Sequence, residues 1–311
     1  MQTETAIMDK SSIQNKSTLA RIRYCEMFMS VQGEGRFVGV PSVFFRTFGC
    51  NFECAGFGQP RGNQLPKEEM PYMTQDLTNI KHISELPVVD IGCDSSASWS
   101  ARYKHLVEWN TVDVIANKLT AMAPGGDWIS PSGQDTHLVI TGGEPMMWQK
   151  QFIELFKQPA MKTIKNITFE TNTTYSLKGE FNEFIRQLVE GRITDEKVHV
   201  TWSCSPKLTI SGESWNDAIR PDVARMYYNI PNSHLYFKFV VADDKDFDEV
   251  REAVREYEEA GIKCDVFCMA VGATVEGQAK TSQQVARLCI KYGYKYSPRL
   301  HVDLFGNRWG T

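Results

Sequence analysis

Cys50 and Cys54 stand four positions apart in the loop sequence Gly49-Cys50-Asn51-Phe52-Glu53-Cys54. Two thiolates at that spacing can meet one soft metal centre, and thiolates select zinc or an iron–sulfur cluster. A third ligand is needed. Cys93, in Gly92-Cys93-Asp94-Ser95, can return to the first pair, because closing a long loop costs little more entropy than closing a short one. Two further segments have the composition of ligand-binding turns: Thr141-Gly142-Gly143-Glu144-Pro145 and Ser205-Pro206-Lys207. The paired glycines remove side chains where backbone groups must meet a ligand, and Glu144 adds an acceptor for an ammonium group.

The remaining cysteines read differently. Cys289 shares a helical face with Val285 and Tyr292 and reads as a small buried hydrophobe. Cys264 and Cys268 fall in a predicted strand, where positions four apart lie ~13 Å from one another, too far to share a cluster. Cys25 alternates with Arg23 and Met27 in the first strand. Eight cysteines in a reducing compartment are not expected to form a disulfide framework.

The three chemical segments each follow a predicted strand. Strands are read at 21–31 and 42–48, with turn glycines and Pro41 between them. Residues 55–92 then carry Pro60, Pro66, Pro71 and Pro87 with Lys67-Glu68-Glu69, longer than an ordinary connection and read as an insertion or lid. From 111 onward helices at 111–122, 148–158, 179–189, 214–226, 246–260 and 281–292 alternate with strands at 137–141, 166–171, 198–204, 234–241, 265–269 and 299–305. Helix 246–260 is the clearest, with Val250, Val254 and Tyr257 on one stripe and Gly261 as its stop. Such alternation predicts parallel strands with crossover helices, as a barrel or an open doubly wound sheet, and a site at the strand C-terminal ends.

Composition agrees with an ordinary globular chain: 311 residues, 42% hydrophobic and 23% charged, net charge −4. A pI near 5.9 and the absence of a Lys/Arg block argue against a nucleic-acid surface, which needs clustered cations. Residues 1–20 read as a polar tail without the apolar core of a signal peptide, and the uncharged stretch 266–275 is too short to span a bilayer. The expected location is the cytoplasm, with a small molecule as substrate. Residues 21–311 are expected to form a single domain.

In order along the chain, Ser30-Val31-Gln32-Gly33-Glu34-Gly35, Phe45-Arg46-Thr47-Phe48-Gly49-Cys50-Asn51, Thr141-Gly142-Gly143-Glu144-Pro145, Glu170-Thr171-Asn172 and Ser205-Pro206-Lys207 resemble the 7-carboxy-7-deazaguanine synthases, a family of radical S-adenosylmethionine enzymes. The resemblance runs from about Tyr24 to the C-terminus apart from the insertion. The Gln-Gly-Glu-Gly opening sets this family apart from other radical enzymes, whereas Gly-Gly-Glu-Pro is shared by many.

The resemblance implies an α/β fold of the partial (β/α) barrel type, with cluster and cofactor at the C-terminal ends of parallel strands. Cys50, Cys54 and Cys93 would hold three irons of a 4Fe–4S cluster, leaving the fourth to chelate S-adenosylmethionine. One electron passed into the sulfonium would release a 5′-deoxyadenosyl radical, chemistry that belongs to the cofactor. Gly142, Gly143 and Glu144 match positions at the methionine end of that cofactor, with Gly92, Asp94, Ser205, Pro206 and Lys207 completing its site. Val31, Gln32, Gly33, Arg46 and Thr141 match positions that bind 6-carboxy-5,6,7,8-tetrahydropterin; an arginine suits a carboxylate because it donates two parallel hydrogen bonds. Ser95 occupies the position whose hydroxyl binds Mg²⁺. The implied reaction contracts the pterin ring with loss of ammonia. A one-electron donor such as flavodoxin and a homodimer are implied with it.

The chain departs from the family pattern at three places. Thirty-eight residues separate Cys54 from Cys93, Gly92 replaces the aromatic expected before the last cysteine, and Cys268-Met269-Ala270-Val271 lacks the usual Gln-Pro. Two other readings use the same cysteines. A glycyl-radical-type activating enzyme would share the thiols and the Gly-Gly-Glu turn without needing Gln32 to Glu34 or Arg46. A non-catalytic zinc module would complete a tetrahedron of Cys50, Cys54 and Cys93 with His82 or His105.

Overall fold

Runs of branched and aromatic residues give way along the chain to helices with apolar positions every three to four residues, and this alternation builds one sheet flanked by helices. The computed structural model describes residues 19–311, so all but the last two residues of the polar tail at 1–20 lie outside the described residues. Its elements are β1 (Arg21–Val31), β2 (Pro41–Thr47), α1 (Pro71–Thr74), β3 (Glu108–Thr111), α2 (Val112–Met122), β4 (His137–Gly142) and α3 (Gln149–Phe156). They continue with β5 (Asn166–Thr171), α4 (Gly179–Val189), β6 (His199–Cys204), α5 (Trp215–Ala218), α6 (Pro221–Tyr228), β7 (His234–Val241) and α7 (Asp244–Glu259). The chain ends with β8 (Asp265–Ala270), α8 (Val275–Ala279), α9 (Ser282–Tyr292), β9 (Lys295–Ser297) and α10 (Leu300–Phe305).

The strand order is β3-β1-β2-β4-β5-β6-β7-β8-β9, an open nine-stranded α/β sheet. From β2 to β9 every neighbour is parallel, while β1 runs antiparallel to both β2 and β3. The period-two alternation of the strands sorts side chains onto two faces. One face carries Val43, Phe45, Leu138, Ile140, Phe169 and Trp202 into the main core beneath the helices. There Phe169 stacks on Trp202, with ring centroids 4.9 Å apart. The opposite, inner face carries Glu26, Phe28, Phe44, Arg46, Thr141, Glu170, Lys238 and Met269 toward a cavity.

Several elements differ from the sequence reading. The predicted strand at 299–305 is helix α10, and the last strand is β9. Pro298 has no N–H to continue the ladder, and Gly306, at φ +70°, caps the helix that follows. The predicted helix at 214–226 is two pieces, α5 and α6, because Pro221 must begin a helix. Strand β3 and helices α1 and α8 fall outside the predicted elements, because at four, four and five residues they are too short for a periodic signal.

Residues 55–92 fold against the rest of the chain, with Met70 and Tyr72 buried in a small core shared with Cys25, Ala97 and Tyr103. Arg102 donates to the carbonyls of Tyr72 and Gln75, each at 2.8 Å. On the other side of this segment Arg61 pairs with Asp246 and Glu249 of α7. No helix among the described residues is long and apolar enough to cross a membrane.

Candidate active site

The loop after β2 is pinned from two directions. Gly49 N–H donates to Ser98 O at 2.7 Å, and Gly49 O accepts from Glu144 N–H at 2.7 Å. The glycines after β4 make that approach possible. A Cβ at Gly142 would fall 2.3 Å from Thr47 O, and one at Gly143 would fall 2.4 Å from Gly49 O and 2.7 Å from the Cys50 Cβ. Their task is therefore to bring the end of β4 against the cysteine loop as well as to leave backbone accessible. Cys54 holds a left-handed backbone, φ +49°, unusual outside glycine. Its N–H donates to Glu213 Oε1 at 2.7 Å, with Glu53 N–H on the same oxygen at 3.0 Å.

Cys93 arrives at the far end of the insertion. Gly92 turns with φ +81° and donates to Phe57 O at 2.8 Å, so the loop closure expected from sequence occurs. Cys50, Cys54 and Cys93 line one cavity of about 250 Å³ and pack in one small cluster with Phe52 and Ala218. Burial pushes the Cys50 thiol up to about 12 and raises those of Cys54 and Cys93, with Lys207 pulling each in the opposite direction. Among the described residues, no three His, Cys, Asp or Glu side chains close around a single ion position. Neither His82 nor His105 lines the cavity, and both are exposed.

A second part of the cavity is a chain of charges. Arg46 donates from Nε to Glu26 at 2.8 Å and from Nη1 to Ser95 Oγ at 3.3 Å. Ser95 Oγ lies 3.3 Å from Asp94, and Asp94 accepts from Arg299 Nη2 at 2.6 Å. The Arg299 Nε reaches Glu34 at 2.9 Å, and Glu34 accepts from Lys238 Nζ at 2.5 Å. Lys238 stands 3.9 Å from Glu170, which accepts from the Gln32 amide at 3.2 Å. Burial opposes the charges of Arg46, Asp94, Arg299, Glu34 and Lys238. Lys238, then Arg299, nevertheless hold Glu34 below the usual carboxylate range, while Glu34 and Glu170 hold Lys238 above its ordinary value. Glu34 and Lys238 are thus both charged through the physiological range.

Of the residues singled out from sequence, Val31, Gln32, Gly33, Arg46, Gly92, Asp94, Ser95, Thr141, Gly142, Gly143, Ser205 and Lys207 line this cavity with the three cysteines. Glu144 and Pro206 do not. Glu144 is fully buried, accepting from Met146 N–H, Asn172 N–H and Thr171 Oγ1, so its carboxylate ties β4 to β5. Burial raises it to about 7 against those hydrogen bonds. The sequence reading did not assign Glu34, Glu170, Lys238, Arg299, His301 or Trp99, all of which line the cavity. A signal existed for Lys238, the one cation within the apolar run of β7.

An α/β protein whose inner sheet face and strand ends surround one cavity lined by both thiols and paired charges is thereby defined. Its relatives carry a particular name. Over 94% of this chain and 99% of the relative it is 26% identical to the 7-carboxy-7-deazaguanine synthase of Pyrobaculum aerophilum. It is 27% identical to that of Halobacterium salinarum over 91% of this chain and 90% of the relative, and 27% identical to that of Rhodopirellula baltica over 92% and 87%. The solved structure of QueE from Escherichia coli superposes with a TM-score of 0.49 at 17% identity, covering 90% of this chain and 95% of that one. No protein-family model matches the chain.

Proposed function

We propose that this chain is a 7-carboxy-7-deazaguanine synthase, a carbon–nitrogen lyase that converts 6-carboxy-5,6,7,8-tetrahydropterin to 7-carboxy-7-deazaguanine with loss of ammonia. The observation that carries the reading is the single cavity shared by Cys50, Cys54 and Cys93 and by the charged chain from Arg46 to Glu170. The open sheet is read as the partial (β/α) barrel of the radical S-adenosylmethionine enzymes.

The donor set fits a 4Fe–4S cluster. Three thiols in a Cys-rich apolar corner are soft ligands, and the close approach of Gly143 to Cys50 leaves no side chain between the β4 turn and the thiol loop. Cys50, Cys54 and Cys93 would hold the cluster; Gly142, Gly143, Ser205 and Lys207 would hold S-adenosylmethionine, and Ser95 with Asp94 would offer oxygens to Mg²⁺. When bound, the cluster and S-adenosylmethionine supply a one-electron reductive cleavage that starts hydrogen abstraction from the pterin.

The rest falls to the protein. Arg46, fixed by Glu26 and Ser95, presents its remaining guanidinium N–H to the pterin carboxylate. Glu170 and Gln32 offer acceptors and a donor to the polar edge of the pterin ring. Phe28, Phe44 and Trp309 wall the cavity against water. Neutral His301, whose charged form burial disfavours, stands beside Glu34 and Arg299 as a group able to accept a proton at Nε2. A flavodoxin-like donor, a cytoplasmic setting and a homodimer belong to the same proposal.

The reading is tested by complementation. A bacterial strain deleted for its own synthase should regain 7-carboxy-7-deazaguanine in its extracts when this chain is expressed; continued absence, with the protein soluble and iron-loaded, would contradict it.

A further inference from the structure

Trp99 lines the cavity without a task in the reaction outlined above. Its indole Nε1 is buried and has no hydrogen-bond partner among the described residues, a costly state for a donor. The ring is not free to turn away. It meets Tyr72 of the insertion edge-on, with centroids 5.1 Å apart and planes at 69°, and Tyr72 is itself buried in the small shared core. Successive turns, Ser96 N–H to Cys93 O at 3.1 Å and Trp99 N–H to Ser96 O at 3.2 Å, fold residue 99 back toward residue 93. The Trp99 and Cys93 side chains border the same cavity, and the indole pulls the Cys93 thiol down against the burial that raises it.

We propose that the Trp99 indole N–H donates a hydrogen bond to the Cys93 sulfur when the cluster is bound, and thereby raises the cluster's reduction potential, the insertion serving through Tyr72 to hold the ring in place. This rests on the function proposed above. Reduction adds negative charge that is spread over the cluster and its thiolates, so a donor aimed at one sulfur favours the reduced state. Trp99 is a positioning residue in this account, acting through Cys93.

Two variants test it. Trp99→Phe removes the N–H with part of the ring, and replacement of Trp99 by benzothienylalanine removes the N–H while keeping the bicyclic shape. Each protein, with wild type, is reconstituted anaerobically, its iron and sulfide are counted, and the midpoint of the cluster is titrated by electron paramagnetic resonance. The expected result is equal iron and a midpoint more negative in both variants, by about tenfold in the reduction equilibrium, which is ~59 mV for one electron. If Trp99→Phe fails to load, the benzothienylalanine protein decides. A wild-type midpoint in that fully loaded protein would overturn the hydrogen bond and leave the proposed function standing. A wild type that takes up no iron and sulfide would overturn both.

Discussion

Gly33 exists to make room for His301: a Cβ built at position 33 would lie 2.0 Å from the His301 Nδ1 and 2.9 Å from its backbone nitrogen. The same contact is fastened by Leu300 N–H donating to Gly33 O at 2.9 Å. The first glycine of the Gln-Gly-Glu-Gly opening thus seats the start of α10, which brings Arg299 and His301 into the cavity.

Gly33→Ala is therefore expected to displace α10 and its two cavity side chains while leaving the thiols untouched. Pterin affinity measured calorimetrically should fall at least tenfold, about 1.4 kcal/mol, with iron content equal to wild type. Unchanged affinity would mean that α10 does not shape the substrate pocket.

Arg46 sits between Glu26 and Ser95, and its partner Glu26 is nearly inaccessible, with 7% of its side chain exposed. Removing the cation outright would strand that carboxylate, so Arg46→Lys is the cleaner substitution. It keeps the charge and loses the planar fork. Pterin binding should weaken by tenfold or more with the cluster retained; equal binding by the two proteins would remove Arg46 from the carboxylate site.

Cys93→Ala should abolish the cluster, and Cys268→Ala should leave iron and sulfide at the wild-type level. Cys268 is fully buried within β8 in the main core, so its truncation should cost ~1 kcal/mol of stability and nothing at the site. Equal iron in wild type and the Cys93 variant would exclude Cys93 as a ligand.

His137 opens β4, buried, with Nε2 2.8 Å from Thr168 Oγ1 and Phe37 packed edge-on at 4.6 Å. Burial lowers its pKa from 6.5 to about 4. A histidine depressed in this way binds fewer protons folded than unfolded, so its contribution is present above pH 6.5 and is lost as pH falls toward 4. Between pH 7.5 and pH 5 the apoprotein should lose about 2 kcal/mol of unfolding free energy through this group. Denaturant titrations of wild type and His137→Gln at both values should differ by that amount, and parallel losses would contradict it.

Local signals made the parallel half of the sheet legible. Strand β7 is an apolar run broken only by Lys238, β5 alternates Ile167 and Phe169 with polar residues, and α7 carries a stripe with a glycine stop. The C-terminal misreading has a local cause as well, since Leu300, Val302 and Leu304 alternate as a strand would, and the deciding residues are Pro298 and Gly306 at its edges. The thiols and the Gly-Gly-Glu turn were legible because each is a short motif beside a strand end. The charged chain was not, because it is assembled across the fold: Lys238 and Glu34 are 204 positions apart, and Arg299 and Glu34 are 265 apart. Glu144 illustrates the converse. Its motif suggested a ligand contact, and only the three donors gathered from β5 and the turn reveal a carboxylate engaged in holding the sheet.

The most direct measurement is anaerobic incubation of the reconstituted protein with a reductant, S-adenosylmethionine, Mg²⁺ and 6-carboxytetrahydropterin, followed by mass spectrometry of the products. The account predicts 7-carboxy-7-deazaguanine formed over many turnovers, and none with Cys93→Ala. Formation of 5′-deoxyadenosine without that product would contradict the substrate assignment and favour an activating enzyme that acts on a partner protein.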